Sequence, residues 1–199
     1  MGIKKRRTRS RRKLILIAAE GNNVTEQNYF RQFNVRQTEY QVVFARGNYT
    51  DPLQMTKALE RKMKESEFNI ARGDRAFCVV DVDAKSEAAL EVEKLSNLYK
   101  PKGIEYIVSN PCFEMWYLLH FAYTTKPFQD SSKMIRELKK HIRDYEKNKD
   151  VFEILYPIMG SAIENSKRLS REQEKVQQRI KGDSPNPITE VHKIVELLL

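Results

Sequence analysis

Two carboxylates separated by one residue, Asp81 and Asp83, follow directly on the apolar run Ala76-Phe77-Cys78-Val79-Val80. A third, Glu20, follows a second such run, Leu14-Ile15-Leu16-Ile17-Ala18-Ala19. Short apolar runs of this kind predict strands of a parallel sheet buried on both faces. The acids then stand at the carboxyl ends of their strands, where open α/β sheets bind ligands. Carboxylates gathered there repel one another and lose hydration unless a cation, or a phosphate–cation pair, compensates them. Hard oxygen ligands suit Mg²⁺ (or Mn²⁺), which retains several waters and completes its shell with substrate phosphates. The chemistry is then activation of a water and shielding of charge on a phosphate under attack. The plainer alternative is that Asp81 and Asp83 cap the helix that follows.

For Glu20 to meet Asp81, strands one and three must be neighbours. Hydropathy predicts strands at 14–19, 41–45, 76–80 and 104–108, with helices at 24–33, 53–68 and 86–99 between them. The alternation β-α-β-α-β-α-β implies an α/β core over 14–110: a four-stranded parallel sheet in the order 2-1-3-4, with helices on both faces. Glu105 inside the fourth strand points to an exposed edge or face. Residues 111–199 read as a helical extension packed on that core. Asn110 is expected to cap its first helix, 112–121, with Pro111 at the first helical position. Further helices are expected at 132–147, 164–181 and 189–198, with an apolar stretch at 151–163 interrupted by Pro157 and Gly160.

The 199 residues are 40% hydrophobic, enough for a proper core. The two cysteines, Cys78 and Cys112, sit in apolar surroundings and read as buried thiols of a cytoplasmic protein. No apolar run approaches the ~20 residues needed to span a bilayer, so no membrane partner is expected. Charge is concentrated at the start. Lys4, Lys5, Arg6, Arg7, Arg9, Arg11, Arg12 and Lys13 carry eight positive charges with no acid among them. The 36 lysines and arginines less those eight leave 28 against 27 acidic residues, so the net charge of +9 is mostly this tail. Residues 1–13 are expected to be flexible and to contact nucleic-acid backbone.

At the acidic residues the chain resembles the Toprim domain, and more closely the RloB family. The resemblance rests on LILIAAEG at 14–21, TEQNYF at 25–30, AFCVVDVD at 76–83, SNPCFEMWYLLHF at 109–121 and NPITEVHKIVELL at 186–198. It spans nearly everything after the basic tail. It implies a Toprim-type core with Glu20 as the acid/base or metal-ordering glutamate and Asp81 and Asp83 as metal ligands. It also implies a nuclease acting on RNA (such as tRNA) or DNA in bacterial anti-phage defence, with a defence-system ATPase as a partner. The loop Glu20-Gly21-Asn22-Asn23-Val24-Thr25-Glu26 is one residue longer than the EGEKTE or EGKKTE pattern and lacks its lysine. The phosphate contact that the pattern's lysine would make has no counterpart in this loop.

Glu26 is either a first-turn acid favoured by the helix dipole or a member of the metal's surroundings. Glu114 faces the same choice. His192 reads as a histidine packed on the core with one hydrogen bond, or as a residue approaching the site. Lys85 reads as a solvated loop lysine or a phosphate contact. His120 and His141 read as structural or exposed, and Trp116, Phe113, Tyr117 and Phe121 as core. The leading function is Mg²⁺-dependent phosphodiester cleavage of nucleic acid. The alternatives are a non-catalytic module binding nucleic acid or an ATPase, and nucleotidyl transfer. The oligomeric state stays open.

Overall fold

A computed structural model describes residues 11–20, 24–36, 38–47, 49, 51–83, 86–179 and 185–199. Strands β1 (Lys13–Ala19), β2 (Tyr40–Phe44), β3 (Arg75–Asp81), β4 (Ile104–Asn110) and β5 (Ile188–Thr189) make one sheet in the order β2-β1-β3-β4-β5. The first four are mutually parallel and contain the expected order 2-1-3-4. The fifth corrects the four-stranded expectation. It pairs antiparallel with β4 through Ser109↔Thr189 and Asn110↔Ile188. Two residues show no periodicity, so the sequence reading starts the last helix at Thr189 and gives no strand there. Glu190 fixes them, donating its N–H to Val108 O (2.9 Å) and accepting from Val108 N at Oε2 (3.1 Å). Glu105 is exposed, at the end of β4 that β5 does not reach.

The two faces of the sheet bury different residues, as strand alternation requires. Leu14, Leu16 and Ala18 of β1 meet Met55, Leu59, Val92 and Tyr99 of helices α2 (Pro52–Glu65) and α3 (Ser86–Tyr99). Helix α2 starts where the sequence places it, with Asp51 accepting from Gln54 N (2.8 Å) and Pro52 in the first turn. Ile15, Ile17 and Ala19 meet α1 (Val24–Arg31) and helices that follow β4. These are α4 (Glu114–Leu118), α5 (Ser131–Leu138), α6 (Phe152–Leu155), α7 (Met159–Arg179) and α8 (His192–Leu198). Tyr29 of α1 joins the two halves. Its ring lies 5.2 Å from Phe30, 5.8 Å from Phe113 and 5.3 Å from Phe152, and its hydroxyl accepts from Trp116 Nε1 at 2.7 Å. Residues 111–199 therefore complete one face of the sheet.

Several helix expectations are corrected by tertiary contacts. Strand β4 runs through Asn110 because β5 pairs with it, so Asn110 is no helix cap; the Asn110–Pro111 peptide is cis, and the helix starts only at Glu114. The helix expected over 132–147 ends at Leu138. Beyond it Tyr145 is drawn to Glu114, and Asn148 adopts φ 75 against Thr25, which bends the chain back to α1. Gly160 does not interrupt α7 because it falls in its first turn, not in its interior.

The tail boundary moves as well. Lys13 pairs with Tyr40 in the sheet and with Glu39 as an ion pair, and Arg12 Nη1 donates to Asn34 O (3.4 Å). Arg11 pairs with buried Asp74 at 2.9 Å. Arg11, Arg12 and Lys13 thus belong to the fold, not to a flexible arm; Lys4, Lys5, Arg6, Arg7 and Arg9 lie outside the described residues. Asp74 also accepts from Leu14 N (2.8 Å) and Asn69 N (2.9 Å), so it ties the start of β1 to the turn before β3. Asp74→Ala strands the buried N–H of Leu14, removes the partner of the Asn69 N–H and of Arg11, and is expected to cost about 3 kcal/mol, on the order of 10 °C in melting temperature. Arg11→Ala is expected to cost about 1 kcal/mol, because its side chain is partly solvated. Thermal melts of the two variants check this; equal losses would deny Asp74 its role.

Candidate functional site

The parallel register decides where the acids go. Ala19 of β1 lies opposite Val79 of β3, so Glu20 and Asp81 leave adjacent strands at the same carboxyl edge. This is also where the winding reverses, because β1 leads on to β2 on one side and β3 lies on the other. Such a switch point opens a crevice beyond the strands. Helix α1, entered from β1, places Glu26 in its first turn at that edge. Residues after β4 return to it as well. Asp83 N donates to Pro111 O (3.1 Å) and Val82 N to Ser109 O (3.0 Å), and α4 then begins at Glu114.

Four carboxylates act on one another here: Glu20, Glu26, Asp81 and Glu114. Glu26 and Glu114 are buried, and Glu20 and Asp81 are half-buried. Burial pushes the Asp81 carboxyl well above its usual range, and Glu26, Glu114 and Glu20 push it further, against the backbone N–H of Phe113. Its Oδ1 is buried and has no hydrogen-bond partner among the described residues. Burial likewise raises Glu26, to about 8, with Glu114 and Glu20 adding to the rise and Lys147 opposing it. Glu114 is oriented by Tyr145, whose hydroxyl donates to Oε1 at 3.0 Å. Lys147 is exposed. Partial desolvation pulls its pKa down, but Glu114, Cys112, Asp81 and Glu26 outweigh that and raise it.

Asp83 is placed differently. It is exposed, takes φ 47, and accepts at Oδ1 from Ser131 Oγ (2.9 Å) at the start of α5. His192 stands away from the acids: its Nδ1 lies 2.8 Å from Ser166 Oγ, and the ring is buried between α7 and α8. His120 is buried with Nδ1 at Trp116 O (2.9 Å), and His141 stacks on Phe121. Trp116, Phe113 and Tyr117 are core. Lys85 and the loop 21–23 lie outside the described residues. Tyr145 and Lys147 were not among the sequence candidates. Tyr145 sits on an apolar stripe, and nothing in sequence separates Lys147 from its basic neighbours.

A model of the RloB-like protein family matches residues 15–198. The chain belongs to the RloB-like family. Neither the curated proteins nor the solved structures give a significant match. In this RloB-like chain no described helix is long and apolar enough to cross a membrane. Among the described residues no group of three or more His, Cys, Asp or Glu side chains is placed to hold a metal ion. Mg²⁺ asks for less, taking one or two carboxylates and keeping several waters. The partnerless Asp81 oxygen within a set of repelling acids fits that demand.

The raised acids set a pH dependence. The folded chain holds a proton on Glu26 that the unfolded chain, with its carboxyl near 4.5, has released. Without divalent cation, stability is fully present below the unfolded value and is lost as pH rises towards about 8. Glu26→Gln is expected to flatten that decline and to raise the melting temperature at pH 8 by several degrees. Melts in EDTA from pH 5 to pH 8 measure it, and an unchanged slope would assign the titration to another group.

Proposed function

We propose that the chain is a Mg²⁺-dependent (or Mn²⁺-dependent) Toprim-type nuclease that cleaves phosphodiester bonds in RNA or DNA as part of bacterial anti-phage defence. The observation that carries this reading is Asp81, half-buried among three other carboxylates with one buried oxygen unpartnered. Such a group raises the free energy of the empty fold and gains its use when a cation and a phosphate arrive. Asp81 and Glu20 would hold the ion, and Asp83 would join them as the third ligand that the family resemblance implies. Bound there, the ion supplies positive charge against the phosphate under attack. Glu20 would take or order the proton of the attacking water. Glu26, with its raised pKa, holds its own proton near neutral pH and keeps the cluster less negative. Tyr145 fixes Glu114 by donating to it. The buried aromatic wall behind α1 and α4 keeps these side chains from relaxing apart. The action in defence, and an ATPase partner, rest on the resemblance to the RloB family.

Asp81→Asn keeps the size and removes a charge. The variant is expected to fold, to melt at the same or a higher temperature in EDTA, and to lose cleavage by on the order of 100-fold or more. The measurement pairs melts with Mg²⁺-containing assays on tRNA and on duplex DNA. Undiminished cleavage by folded Asp81→Asn would remove the acid cluster from the reaction. Absence of cleavage by the wild type on any nucleic acid, with or without a cognate ATPase, would favour a binding module.

A further inference from the structure

The segment between Ser131 and Asn148 leaves the acid edge and returns to it. It leaves at Ser131, whose hydroxyl bonds Asp83, and comes back at Tyr145, whose hydroxyl bonds Glu114. Asn148 then pins the return to α1: its N–H donates to Thr25 Oγ1 (3.1 Å), and its carbonyl accepts from Asn28 Nδ2 (3.1 Å). Gln32 Nε2 adds a bond to Asp150 Oδ2 at 2.6 Å. The excursion is anchored inward by Met134, Leu138, Ile142 and Tyr145, all buried. Its outward face is basic, with seven lysines and arginines against three acids between 133 and 149. Arg136, Lys139, Arg143 and Lys147 are exposed, and among the described residues their side chains make no ion pair or hydrogen bond. Lys147 faces the acids, while Arg136, Lys139 and Arg143 are left unpaired on the scaffold and suit a polyanion better than they serve stability. The basic tail is rooted elsewhere, because Lys13 opens β1 at the amino edge of the sheet, opposite the acids.

We infer that this basic arc is the surface along which a nucleic-acid backbone is seated on its way to the acid cluster, with Lys147 contacting the phosphate nearest the acids. The inference builds on the proposed nuclease reading, but its test does not require cleavage. Fluorescein-labelled oligo(U) and oligo(dT) are titrated with the full chain in EDTA over a range of salt. The variant Arg136→Gln/Lys139→Gln/Arg143→Gln is compared with Lys57→Gln/Arg61→Gln/Lys64→Gln, which removes the same charge from exposed positions of α2 on the opposite face of the sheet. The arc variant is expected to bind about 10-fold or more weakly, with the slope of log K against log salt reduced by about 2. The α2 variant is expected to bind like wild type. Lys147→Gln alone is expected to reduce the slope by about one phosphate contact, ~0.7 to 0.9. Loss of binding in the arc variant for either oligonucleotide, with its melting curve intact, supports the proposal. Equal binding by the arc and α2 variants, or no binding of either oligonucleotide by the wild type, overturns it. A wild type that binds but does not cleave sinks only the catalytic reading.

Discussion

Like charges held together at low dielectric are the constraint around which this fold is arranged. Two unit charges about 5 Å apart at an effective dielectric of ~20 repel by roughly 3 kcal/mol, a sizeable part of a domain's net stability. Glu20, Glu26, Asp81 and Glu114 act on one another at a single sheet edge. The fold supplies partial compensation from several directions. The N–H of Phe113 points to Asp81, Tyr145 donates to Glu114, Glu26 lies in the first turn of α1, and Lys147 lends its field. These contributions leave both Asp81 and Glu26 shifted towards the protonated form. The arrangement therefore carries unrelieved repulsion as an isolated structure, and the proposal of a bound divalent cation rests on that repulsion.

Keeping the acids together demands a rigid backing, and the aromatic core provides it. Glu26 precedes Tyr29 and Phe30 by three and four residues on α1, and Glu114 follows Phe113 and precedes Trp116 and Tyr117 on α4. Each helix thus carries an acid towards the site and rings into the core. The bond from Trp116 to Tyr29 and the packing of Phe30 on Phe113 (5.9 Å) lock the two helices to each other. A chain segment that looks like an appended helical extension is in this sense part of the site. It brings Glu114, Tyr145 and Lys147, and it closes the sheet face on which α1 rests.

What could be read from sequence was set by local pattern. Unbroken apolar runs ending in Glu20 and Asp81 gave away two strands, their ends and, through the need to meet, their adjacency. The parts decided by long-range pairing were not legible. Strand β5 is two residues long and exists because β4 offers it an edge. The helix expected to continue to Lys147 ends at Leu138, and the chain beyond it turns so that the Tyr145 hydroxyl donates to Glu114, a long-range contact with no local signal. Glu114 and Glu26 ranked below Asp83 in sequence because their burial is a tertiary property, whereas the Asp-x-Asp spacing is visible in the string. In the fold Asp83 engages Ser131, and the two glutamates are the ones pressed against Asp81.

Net charge shows the same gap between string and structure. The +9 is largely a tail in sequence, which draws attention to residues 1–13 as the contact for an anionic partner. Strand β1 separates the root of that tail from Glu20 by seven residues, roughly 20 Å of extended chain. A phosphate approaching the acids meets the potential of nearby groups first, since screening at physiological salt confines each exposed charge to about 8 Å. Distance along the fold thus outranks the size of the charge. An acidic crevice admits a polyanion when positive charge, from a bound cation or from bordering basic groups, lies close to it. The arc that starts at Ser131 and ends at Tyr145 has that position because its two ends are bonded to the acids themselves.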